Sequence, residues 1–93
     1  MAMPQMQASP EARADLQRRL ARIAGQVRGV QRMLDEGRDC QSILQQLAAI
    51  RAAVQQASLI LVRSYAAECL AQPDAESPEE IADSLIGALT KLL

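Results

Sequence analysis

No histidine occurs in the 93 residues, nor any Phe or Trp, and Tyr65 is the one aromatic side chain. Without imidazole, His-dependent zinc sites, Ser-His and Cys-His nucleophile pairs and imidazole general bases are excluded. A single ring builds neither a stacking platform for bases nor an aromatic-anchored core. No apolar run approaches the ~20 residues that a membrane span needs, and no signal peptide is visible. A soluble, cytoplasmic protein is therefore expected, with no membrane partner. The length allows one small domain, at most two, and leaves no room for separate catalytic and regulatory halves. What is present is an aliphatic chain rich in Ala, Leu and Gln, 49% hydrophobic and 23% charged. That composition belongs to helices.

The net charge of −1 conceals an uneven distribution. Residues 1–51 hold eight arginines against five acids, whereas residues 52–93 hold Arg63 and Lys91 against six acids. A chain polarised in this way can meet a polyanion with one surface only.

The segment 1–8 has no period and reads as a disordered tail; Met1, Met3 and Met6 are soft donors within it. Residues 9–93 read as a single helical domain. Ser9 is an N-cap with Pro10 at the first helical position, opening a helix over about 10–36 that Gly37 ends. Leu16, Leu20, Ile23, Val27, Val30 and Leu34 recur at steps of four and three, a continuous apolar seam. Asp39 caps a second helix over about 39–72, where Ile43, Leu47, Ile50, Val54, Ala57 and Leu61 keep the same rhythm. Ser77-Pro78-Glu79-Glu80 is a capping-box pattern that opens a third helix over about 78–92. The expected fold is all-α, a three-helix protomer with a long central helix. That helix overhangs its neighbours and would expose apolar seam, so at least a dimer is expected.

Cys40 and Cys69 are the only strongly reactive side chains. They lie 29 residues apart on the predicted central helix. At about 100° per residue this is eight turns and roughly 20°, which puts both on one face, while the axial rise separates them by ~43 Å. A disulfide needs Cα atoms within about 7 Å, so they cannot pair within a chain. An antiparallel pair of such helices with its two-fold axis at 54.5 brings Cys40 of one chain to Cys69 of the other. The same axis matches Leu47 with Val62, Ile50 with Leu59 and Leu44 with Tyr65. Cys40 sits in the first turn, where unsatisfied amides and the helix dipole favour a thiolate; Cys69 lies near the C-terminus beside Glu68, where both effects oppose one. Spacing alone leaves two readings open, an inter-subunit dithiol or two buried structural cysteines.

The first helix carries a stripe of Arg18, Arg22, Arg28 and Arg32 opposite its apolar seam, with Arg19 to one side. Repeated on every subunit, the stripe gives an extended cationic surface suited to phosphates, or else a solvated charged face. No helix-turn-helix, ribbon or zinc-finger pattern accompanies it.

The stretch Arg18-Arg19-Leu20-Ala21-Arg22-Ile23-Ala24-Gly25-Gln26-Val27-Arg28-Gly29, followed by Met33-Leu34, Cys40 and Ile43-Leu44-Gln45-Gln46-Leu47, resembles the CsoR-type, copper-sensing repressor family over about residues 16–90. The resemblance implies antiparallel dimers that pair into a homotetramer and repress an operator until an effector binds. It implies DNA contacts from Arg18, Arg19 and Arg22, with Gln56 standing where some relatives carry a basic residue. Copper-sensing members place a His four residues before the second Cys; here that position is Tyr65. Two cysteines with no histidine are most similar to the persulfide-sensing CstR branch, in which a persulfide on one thiol is closed by the partner thiol into a di-, tri- or tetrasulfide between protomers.

The function expected from the sequence is a DNA-binding repressor, not an enzyme. It would sense sulfane sulfur at Cys40 and Cys69, with Tyr65 beside the site, need no cofactor, and have operator DNA as partner. The alternatives are a Cu(I)-responsive repressor using the same two thiolates as metal ligands, or a helical interaction module with inert cysteines.

Overall fold

The structure, a computed structural model, describes residues 8–71 and 77–91. The expected tail at 1–8 falls almost wholly outside them, as do the expected helix ends at 72 and 92. The described residues form α1 (Pro10–Asp35), α2 (Cys40–Ala71) and α3 (Pro78–Thr90), with no strand among them. None of these helices is long and apolar enough to cross a membrane.

Each helix begins and ends where local chemistry requires it. Ser9 Oγ accepts from the Ala12 amide at 3.2 Å, and Pro10 supplies a first residue with no N–H left to satisfy. At the far end Arg38 N–H donates to Met33 O at 2.9 Å and Gly37 N–H to Leu34 O at 3.1 Å, a Schellman closure. That closure needs the left-handed backbone that Gly37 adopts at φ 68°. Two residues later, Asp39 caps α2: its Oδ2 accepts from the Ser42 amide at 3.0 Å and its Oδ1 from the Ser42 hydroxyl at 2.8 Å. Those bonds, the hydroxyl first, hold the Asp39 carboxyl below its ordinary range. Ser77 Oγ accepts from the Glu80 amide at 3.2 Å and opens α3.

The short Schellman turn folds α1 back antiparallel on α2, and the Ser9 amide donates to Ser64 Oγ at 3.3 Å to fasten the open end. Among the described residues the buried side chains are few: Ile23 and Val30 of α1, Ala57, Tyr65 and Cys69 of α2, and Ile81 of α3. Only part of the α1 seam is used. Ile23 and Val30 are buried and Leu16 half-buried, whereas Leu20, Val27 and Leu34 are 51%, 42% and 61% exposed. Leu20 and Val27 lie about 60° further round the helix than Ile23 and Val30, beyond what one neighbouring helix can cover, whereas Leu34 is in line with Leu16 and stands in the last turn of α1. α3 docks on the last third of α2, where Ile81 packs with Tyr65 and Cys69, and Leu85 against them. Nearer its start, α2 leaves Leu44, Leu47 and Val54 exposed.

Candidate sensing site and arginine face

The two cysteines occupy opposite environments on one face of α2. Cys40 is the first residue of the helix and is exposed. Its neighbour is the ionised Asp39 carboxylate, so the helix N-terminus is not the only charge it meets. Cys69 is 4% exposed, one turn beyond Tyr65 at 8%, and α3 closes over both. The 29-residue separation along a continuous helix rules out a bond between them in one chain. Among the described residues no three His, Cys, Asp or Glu side chains gather into a metal-binding group.

Cys69 is buried by α3, not by its place near the end of α2. The sequence signal for this was present: Ile81 and Leu85 lie four apart on α3 and mark its inward edge. One expected match across the two-fold axis fails. Ile50 and Leu59 are nine residues apart, hence about 180° apart on the helix, and Ile50 is half-buried while Leu59 is exposed. Leu47 and Leu44 remain exposed on the cysteine face, opposite the half-buried Val62 and the buried Tyr65 in that register.

Arg18, Arg19 and Arg22 all lie on α1 and are exposed. Two of them are not unengaged cations: Asp15 holds Arg18 at 3.5 Å and Arg19 at 3.2 Å. Asp15 was missed from the sequence alone, although its i+3 and i+4 spacing to these arginines is the usual one for helical ion pairs. Exposed pairs of this kind contribute about 0–1 kcal/mol, little enough for a phosphate to displace. Arg22, Arg28 and Arg32 carry no ion pair among the described residues.

Comparison with known proteins adds independent findings. The family model described as metal-sensitive transcriptional repressor matches residues 12–91. The copper-sensing transcriptional repressor CsoR of Bacillus subtilis (strain 168) is 40% identical over 63 residues, 68% of this chain. The match spans 62% of that relative, just under two thirds of its length. The transcriptional repressor RcnR of Salmonella typhimurium is 36% identical over 75 residues, 80% of this chain and 83% of that one. Among solved structures, the nickel-responsive transcriptional regulator InrS superposes with a TM-score of 0.76 at 33% identity, covering 96% of this chain and 98% of the other.

Proposed function

The chain belongs to the metal-sensitive transcriptional repressor family, and from that premise we propose a DNA-binding repressor whose effector acts on Cys40 of one protomer and Cys69 of another. The observation that carries the reading is the cysteine pair itself: one face of α2, an exposed thiol at its start, a buried thiol under α3, too far apart to meet within one chain. Two protomers laid antiparallel along α2 bring them together and cover Leu44, Leu47 and Val54, which a lone protomer leaves in water. A second contact over Leu20, Val27 and Leu34 would then build a dimer of dimers, displaying the arginines of α1 on every subunit.

Sulfane sulfur is the effector that this donor set favours. The exposed Cys40 thiolate attacks the outer sulfur of an organic persulfide, leaving a persulfide on Cys40 and releasing the organic thiol. The Cys69 thiol of the other protomer then attacks the inner sulfur, forming the inter-subunit disulfide with loss of hydrogen sulfide. If Cys69 also carries a persulfide, the two condense to a trisulfide and hydrogen sulfide. Because Cys69 lies under α3, the link requires α3 to shift, which ties the sulfur chemistry to the shape of the assembly. A second reading, Cu(I) as effector, rests on the same atoms: two soft thiolates suit it, and the copper-sensing relative is 40% identical. Against it stands Tyr65, whose neutral phenol is a poor ligand for Cu(I) one turn before Cys69.

A single experiment decides between them. Reduced protein bound to its operator is treated in parallel with Cu(I) and with inorganic polysulfide, and DNA release is read by fluorescence anisotropy. Release by polysulfide at concentrations where Cu(I) is silent supports the sulfur reading; the converse supports copper, and release by neither sinks the dithiol sensor. Binding should weaken steeply with salt, and Arg22→Ala should lower the salt slope by about 1 per subunit contact. Salt-insensitive or absent DNA binding would favour a plain interaction module.

A further inference from the structure

Where α3 ends against the middle of α2, an open pocket of about 240 Å3 is lined by Arg51, Val54, Gln55 and Ser58 of α2 and by Lys91 just past α3. Among the described residues its polar chemistry is one-sided: a guanidinium, an ammonium, an amide and a hydroxyl, with no carboxylate in the lining. Neither Arg51 nor Lys91 has an ion pair among the described residues. Arg51 also interrupts the apolar stripe of Leu44, Leu47 and Val54. The fold brings a second cation to it from 40 residues further along the chain. Two like charges sharing a pocket repel each other until an anion joins them.

We propose that this pocket binds a small tetrahedral oxyanion of the phosphate or sulfate class. Arg51 offers a planar fork, Lys91 a mobile point charge, and Ser58 and Gln55 further N–H and O–H donors. The space accommodates the ion and several waters at about 30 Å3 each. The site lies about 120° round α2 from the face that α1 covers, apart from the outward arginines of α1. It also lies on the face used in the proposed antiparallel pairing. If that pairing holds, on which this one extension rests, the ion sits at the seam and neutralises cations from both protomers.

The test is phosphorus NMR line broadening of inorganic phosphate on the full-length reduced protein, alongside melting followed by circular dichroism. Phosphate and sulfate are titrated against chloride at matched ionic strength. The expected result is saturable broadening, and a saturable rise in melting temperature beyond that with chloride. Both effects should be lost in Arg51→Gln, reduced in Lys91→Gln and kept in Arg63→Gln. If Arg51→Gln loses helicity, Lys91→Gln carries the comparison. Undiminished broadening in both pocket variants, or no difference from chloride, overturns the site. Displacement of phosphate by a short non-operator duplex would assign the pocket to DNA phosphates and overturn the free-anion assignment. Sedimentation equilibrium separates the pairing from the site: binding to a monomer retains the site and removes the pairing, whereas a dimer that does not bind removes the site.

Discussion

Replacing Ile81 by Ala should expose one cysteine and not the other. Ile81 is 8% exposed and packs against Tyr65 and Cys69, so it carries much of the docking of α3 onto α2. Truncating a buried Ile to Ala costs roughly 2–5 kcal/mol, and a small cluster that can partly collapse belongs at the low end. Taking about 2 kcal/mol, and about 1.4 kcal/mol per factor of ten, the open state of α3 becomes some 30-fold more populated. When opening is fast compared with modification, Cys69 should react with iodoacetamide about 30-fold faster. Cys40, exposed at the start of α2, should keep its rate and serves as the internal standard. The assay is time-resolved peptide mass spectrometry of the alkylated protein under reducing conditions. An unchanged Cys69 rate, or equal acceleration at both cysteines, would refute the argument that α3 is what guards Cys69.

Other outcomes follow from local features. Gly37→Ala should lower stability by about 1–2 kcal/mol in thermal melts, because φ 68° strains any Cβ although nothing lies within 4 Å of it. Gln26 Oε1 is buried with no hydrogen-bond partner among the described residues, so Gln26→Met should raise stability by about 1 kcal/mol; a loss would mean that a neighbouring subunit supplies the missing donor. Asp39 has a lowered carboxyl pKa, so its capping contribution is present above the ordinary Asp value and is lost as pH falls through the lowered one. Asp39→Asn should flatten the acid limb of the pH–stability profile, and an unchanged limb would assign it to other carboxylates.

How much of this was readable in advance differs from feature to feature. The three helix starts and the end of α1 were, because Ser9-Pro10, Gly37, Asp39 and Ser77-Pro78 each act within a turn of themselves. The seam of α1 was visible but not which edge of it packs: periodicity gives the apolar direction of a helix and not the position of its neighbour, and α2 covers Ile23 and Val30 while passing by Leu20 and Val27. The cysteine face was legible from spacing alone; the cover that α3 places over Cys69 depends on how a third helix docks, a tertiary fact. The ion pairs of Asp15 were local and could have been read. Arg51 and Lys91 could not, since only the fold brings together residues 40 apart.

The most direct test of the inter-subunit dithiol is the intact mass, under non-reducing denaturing conditions, of the reduced protein after treatment with polysulfide, followed by mapping of the linked peptides. The predicted product is a covalent dimer carrying disulfide or trisulfide links between Cys40 of one chain and Cys69 of the other. It should form together with loss of DNA binding and be abolished by Cys40→Ser or Cys69→Ser. A protein that stays monomeric in mass, or that links Cys40 to Cys40, would contradict it.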